Sequence, residues 1–182
     1  MDVEGHGTHT SSTLAGNVVP NASLYGLANG TARGAVPSAR VAMYKVCWVS
    51  FGCSDMDILA AFDAAAYDGV DVISISIAGG SANYTTGSIS IGAFHAMKKG
   101  IITVASAGND GPSLLSVSNH APWILTVAAS GIDRDFRSKV HLGNGRNISV
   151  SNYYFFIKLL KIIFLFFTLL YFNPYIAYTN HL

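Results

Sequence analysis

The chain has 182 residues, enough for one domain with a sizeable core. Eleven Lys and Arg against ten Asp and Glu leave a net charge of +1, and with no basic stripe the expected partners include no nucleic acid. Hydrophobic residues make up 51% and charged residues 12%, an apolar balance for a soluble domain, and the excess is concentrated at one end.

Every Gly lies before residue 146 and every acidic residue before 136, whereas after Asn152 the chain reads YYFFIKLLKIIFLFFTLLYFNPYIAYTNHL. The composition therefore predicts a domain over 1–150 and an apolar aromatic tail over 151–182 that is not part of it. Residues 153–172 have about the length of a membrane span, interrupted by Lys158 and Lys161. Three readings of the tail follow. The first is translated non-coding sequence, because its residues are largely those of A/T-rich codons. The second is a membrane anchor whose lysines snorkel. The third is a buried core helix.

In chain order, Met1-Asp2-Val3-Glu4 has neither a basic nor an apolar region, so no secretory signal is read at the start. Gly5-His6-Gly7-Thr8-His9-Thr10-Ser11-Ser12 leads into Leu14-Ala15-Gly16 and predicts a helix with His6 at its start. A His between two glycines is open on one side and suits a general base. His6 and His9 are also three apart and can be read as sharing a metal, although the zinc-protease spacing is four with an adjacent Glu. The plainest reading is two turn or cap residues.

Val41–Trp48, Val70–Ile77, Ile101–Ala105 and Ile124–Ala129 are short Val- and Ile-rich runs, which predict strands buried on both faces of a parallel sheet. Between them, Ser54 and Asp57 suggest the capped start of a helix that ends at Gly69, with Ile58, Leu59, Phe62 and Ala65 on one face. A second helix runs from about Ser88 to Lys99 and stops at Gly100. Strand and helix in alternation give right-handed crossovers and an α/β layered domain. Val140–Ile148 reads as a hairpin turning at Gly143–Gly145.

Cys47 and Cys53 fit no zinc or redox spacing. A bridge between them would close a small loop worth about 2 kcal/mol, and two buried thiols read equally well. Asn21, Asn29, Asn83 and Asn147 each open an Asn-x-Ser/Thr sequon, usable only in the secretory pathway.

Two strand ends carry further candidates. Ser106-Ala107-Gly108-Asn109-Asp110-Gly111-Pro112 follows the third apolar run, at the edge where α/β sheets place their sites, and the Asn109 amide can donate to a developing oxyanion. As plain sequence it is also strong turn chemistry. Ser74-Ile75-Ser76-Ile77-Ala78-Gly79-Gly80 runs a strand into glycines, leaving backbone that an extended peptide can pair with.

Taken together, Asp2-Val3-Glu4-Gly5-His6-Gly7-Thr8-His9-Thr10 and Ser106–Pro112 resemble the subtilisin-like serine proteases. Tyr44–Trp48, Gly69–Ser74 and Ala121–Ser130 resemble their plant, cucumisin-like branch. The resemblance covers about Asp2 to Val150. It implies a subtilisin-like layered α/β domain with a mostly parallel sheet, truncated at both ends. It also implies serine-type endopeptidase chemistry on peptide or protein substrates, an extracellular (apoplast) parent, and no cofactor or metal. By the same resemblance His6 is the general base, Asn109 the oxyanion donor, Ser76, Ile77, Ala78 and Gly79 the substrate-pairing strand, and Cys47 and Cys53 a disulfide pair.

The departures from the family pattern matter as much. The family's orienting Asp lies in a D-[ST]-G strand upstream of the His, and its nucleophile in a G-T-S-M motif downstream; neither string occurs in these residues. Ala78 stands where the family usually has Gly, and its methyl is expected to crowd the cleft. The 182 residues as written are thus expected to be catalytically inactive, since loss of the serine in a subtilisin costs about a million-fold in rate, a figure that belongs to that enzyme. The alternative is a non-catalytic protein that binds peptides or a partner protease through the Ser76–Gly79 edge.

Overall fold

The structure is a computed structural model and describes residues 2–80, 82–131, 137–150 and 176–177. These fall into two compact units: one holds the residues up to Val18 together with Arg33–Ser130, the other Val19–Ala32 and the described residues from Gly131 onward.

The first unit opens with α1, His6–Ala15, entered through Gly5 at φ 80°. Its entry is closed by Asp2, whose carboxylate accepts from Gly5 N at 3.0 Å and from Thr8 N and Thr8 Oγ1 at 2.7 Å each. The last-turn carbonyls of α1 are met by the returning chain: Ala35 N donates to Thr13 O, Val36 N to Leu14 O, and Gly34 N to the Gly16 carbonyl beyond the helix. Only glycine fits at 34, because a β-carbon there would stand 2.3 Å from the Gly16 nitrogen.

In the second unit, β1 (Val19–Leu24) and β2 (Leu27–Ala32) form an irregular antiparallel pair. Back in the first unit, β3 (Cys47–Trp48) and β4 (Gly52–Cys53) form a short antiparallel ribbon that places Cys47 opposite Cys53, and the two are joined in a disulfide. The bridge implied by the family resemblance is thus present.

Next, α2 (Asp55–Asp68) is capped by Ser54, which accepts from Met56 N, and ends at Gly69 in the left-handed region. Asp57 does not complete a capping box; its carboxylate accepts from Trp48 Nε1 at 3.1 Å instead. Three strands follow, β5 (Val72–Ile75), β6 (Ile102–Ser106) and β7 (Ile124–Val127), with α3 (Ser88–Lys98) between β5 and β6. They form a parallel sheet in the order β5-β6-β7, in the register Val72↔Ile102 and Thr103↔Ile124.

The core lies between this sheet and the two helices. Ile58 and Phe62 of α2, Ala93 and Ala96 of α3, and Ile101, Ala105, Ala121 and Ile124 from the sheet and its loops form one buried cluster. The helices approach closely at Gly92, where an added β-carbon would meet the Phe62 ring at 2.3 Å.

Two expectations are corrected. First, the strands are not buried on both faces. Ile73, Thr103, Ile124 and Ala105 face the core, while Val72, Ile102, Leu125 and Val127 on the other face are all more than half exposed. The reason is that α2 and α3 both pack on a single face. Second, only Cys47–Trp48 of the predicted strand Val41–Trp48 is in a ladder. A strand needs a neighbour's N–H and C=O groups, and among the described residues none pairs with 41–46; Val46 still packs against the core.

The predicted hairpin forms in the second unit as β8 (Arg137–His141) and β9 (Asn147–Val150), closed by Gly145 N donating to Leu142 O. β10 (Ile176–Ala177) pairs with Ser138 and Arg137 of β8. Among the described residues no helix is long and apolar enough to cross a membrane, and residues 153–172 lie outside the described residues.

Candidate active site

The C-terminal edge of the parallel sheet gathers the sequence-predicted residues. β5 is an edge strand, and beyond Ile75 the chain continues through Ser76–Gly79 without a ladder. α1 stands beside this extension. His6, the first residue of α1, donates from Nε2 to the Ser76 carbonyl at 3.1 Å. A carbonyl can only accept, so this bond requires a proton on Nε2; in the neutral ring the lone pair is then on Nδ1. Among the described residues no hydroxyl and no carboxylate bonds the His6 ring. Asp2, four positions before His6, spends both oxygens on Gly5 and Thr8, which hold its carboxyl below the usual aspartate range; the Thr8 N–H is the largest cause.

The second predicted segment leaves β6 at Ser106 and turns through Gly108 to Asn109, which is exposed. Gly108, at φ 91°, sits against both Ser118 and Ala78; a β-carbon on it would lie 3.1 Å from Ser118 Oγ and 3.5 Å from the Ala78 methyl. The close approach of this glycine brings the loop that carries Asn109 beside the Ser76–Gly79 extension. The Ala78 methyl, expected to crowd the cleft, also borders a cavity of about 610 Å³. That cavity is lined by Ile77, Gly79 and Gly80 on one side and by Asn83, Ser88 and Asn119 on others. The backbone groups of Ala78 and Gly79 have no hydrogen-bond partner among the described residues. A smaller concavity of about 360 Å³ lies between His9, Thr10, Thr13 and Leu14 of α1 and Ser74 and Ser76.

One polar residue at this edge has no counterpart in the sequence reading. Asn119 donates from Nδ2 to Ile77 O at 2.7 Å and to Ser106 O at 3.0 Å. An Asn in a Ser-Asn-His turn gives no local sign of such a contact. Among the described residues no three His, Cys, Asp or Glu side chains cluster as a metal site. The four sequon asparagines are all exposed, and Asn83 Oδ1 accepts from both the N–H and the hydroxyl of Thr85.

The layered α/β unit, built on a parallel sheet with its helices packed on one face, has a subtilisin-like fold, and the comparisons agree. The profile of the subtilase family, peptidase S8, matches residues 1–159, and the chain belongs to that family. It is 72% identical over 149 residues to Subtilisin-like protease SBT4.14 of Arabidopsis thaliana, covering 82% of this chain and 20% of that protein. It is 65% identical over 148 residues to Subtilisin-like protease SBT4.15 of the same plant, covering 81% and 19%. Among solved structures it is similar to Sphericase, with a TM-score of 0.53 and 26% identity over 83% of this chain and 45% of that one. The sequence thus spans about a fifth of the length of the curated relatives it matches.

Proposed function

We propose that these residues supply the general base, the oxyanion donor and the substrate-pairing strand of a serine-type endopeptidase acting on peptides or proteins. The observation that carries the reading is the convergence of His6, the Ser76–Gly79 extension and the Gly108–Asn109 loop at one sheet edge. In this reading His6 takes the proton of a serine nucleophile, Asn109 donates to the oxyanion, and the backbone of Ser76–Gly79 pairs with the substrate. Neither a D-[ST]-G nor a G-T-S-M string occurs in the 182 residues, and in this reading the chain as written is expected to turn over no peptide. The disulfide and the exposed sequons support a secreted, glycosylated protein.

The test sequences the transcript and the DNA on both sides of the reading frame, then assays the products. A frame that runs upstream into a D-[ST]-G strand and downstream, with 151–182 removed, into G-T-S-M supports the reading. The polypeptide it encodes is then expected to cleave casein and to lose that activity in His6→Ala. Turnover by the purified 182-residue chain would overturn the inactivity. A second reading, peptide binding without turnover, is favoured by the unpartnered backbone of Ala78 and Gly79. It predicts a folded monomer that binds an extended peptide and cleaves none.

A further inference from the structure

Asn119 sits in the loop between β6 and β7 with φ 54°, in the left-handed region that Asn tolerates better than most residues. It is half-buried, and all its recorded bonds reach the carboxyl edge of the sheet. Both protons of its side-chain nitrogen are spent on carbonyls, Ile77 O beyond β5 and Ser106 O at the end of β6. Its own carbonyl accepts from Thr126 Oγ1 of β7 at 2.5 Å. One residue therefore ties together the ends of all three parallel strands.

The parity of an extended chain gives this contact a consequence. Successive carbonyls along a strand point to opposite edges. The Ile77 carbonyl is turned inward to Asn119, so those of Ser76 and Ala78 point to the other edge. The Ser76 carbonyl is found there, on His6. We propose that Asn119 is a positioning residue. By holding the Ile77 and Ser106 carbonyls, it fixes which edge of Ser76–Gly79 is offered to an extended peptide and how that strand stands against the Gly108–Asn109 loop. This inference rests on the substrate-pairing role proposed above for Ser76–Gly79. An aspartate at 119 would share the outline and the backbone tolerance, but it would set oxygens against two carbonyls.

Three variants, made in the polypeptide encoded by the extended reading frame, separate the amide from the backbone. Asn119→Gly tolerates the positive φ and lacks the donor; Asn119→Ala lacks the donor and strains the backbone; Asn119→Asp replaces the donor with an acceptor. Kinetics are compared on a hexapeptide long enough to lie along Ser76–Gly79 and on a single-residue ester too short to do so. The expected result is a KM for the hexapeptide raised about tenfold or more in the Gly and Asp variants, with the ester unchanged, as loss of two neutral hydrogen bonds predicts. Equal losses on both substrates mean a purely structural role, and wild-type behaviour of Asn119→Gly means only the backbone conformation matters; either overturns the proposal. If the unmutated polypeptide of the extended frame turns over neither substrate, the endopeptidase reading fails on its own. The clamp is then read by hydrogen exchange. Faster exchange at residues 76–80 in Asn119→Gly, with α3 unchanged, supports it, and unaltered exchange there overturns it.

Discussion

The imidazole of His6 and the carbonyl of Ser76, 70 positions apart in sequence, meet at 3.1 Å. The bond fixes a tautomer, since only a protonated Nε2 can donate to a carbonyl. A base that takes a serine proton through Nε2 needs the opposite tautomer, with the Nδ1 proton held by an acceptor such as a carboxylate. The neutral His6 ring of this chain is therefore expected to show the Nε2–H form in imidazole nitrogen NMR shifts. An Nδ1–H form would mean that the ring is already arranged as a base without an orienting acid.

Asn109 reaches solvent from a loop that Gly108 holds against Ala78. If its amide meets the oxyanion, its effect belongs to the transition state and not to substrate binding. In a polypeptide with turnover, Asn109→Leu is expected to lower kcat about 100- to 1,000-fold while KM changes little. That range was measured in a subtilisin and is carried over from that relative. A loss confined to KM would move Asn109 from catalysis to binding.

Gly92 and Phe62 hold α3 and α2 in close contact. A β-carbon at 92 would stand 2.3 Å from Phe62 Cδ2, 2.4 Å from Cγ and 3.0 Å from Cβ. The clash includes the stem of the side chain, so rotating the ring does not relieve it. Gly92→Ala is expected to cost about 1–3 kcal/mol as overpacking, although alanine is the better helix former. Urea unfolding of the two proteins measures this, and an alanine variant of equal or greater stability would show that the helices can separate freely.

What the sequence made legible were local devices. Ser54, the spacing of Ile58, Phe62 and Ala65, and Gly69 define α2 within a single stretch of chain, and Gly5 and Gly108, both at positive φ, mark the entry to α1 and the turn before Asn109. What it hid were partners. The apolar run 41–46 predicts burial but not a neighbouring strand, and the runs at β5 to β7 do not disclose that only one face is covered. Asp57 fits a capping box by spacing, yet Trp48 takes its carboxylate. Asn119 is the extreme case, since its two acceptors lie 42 and 13 residues away and neither is marked by a side chain.

Asp2 gives the entry to α1 a pH dependence. The Thr8 N–H and hydroxyl, and then the Gly5 N–H and Lys45, favour its ionised form and depress its pKa. A depressed carboxylate stabilises the fold fully above its unfolded value, and that contribution is lost as the pH falls through the lower folded value. The first turn of α1 is thus expected to loosen only below the usual aspartate range. The Thr8 amide shift followed through an acid titration checks the midpoint, and Asp2→Asn should abolish the step. A midpoint at or above the ordinary aspartate value would remove the capping role.

The Cys47–Cys53 bridge closes a ribbon separated by 6 positions, and the same ribbon carries Trp48, which donates to Asp57 of α2. Lys45 lies over the Trp48 ring at 4.9 Å and donates to Cys47 O. Cutting the bridge frees a two-residue ladder that is too short to hold itself. The Cys47→Ser, Cys53→Ser double variant is expected to lose about 2 kcal/mol by the loop-entropy relation. Its Trp48 fluorescence should shift toward that of a solvated indole. Because β4 runs directly into the Ser54 cap, loosening should spread to the first turn of α2 and stop before Phe62, where core packing takes over. Hydrogen exchange resolves that boundary. Loss of protection along the whole of α2 would mean that the ribbon, and not the core, anchors the helix.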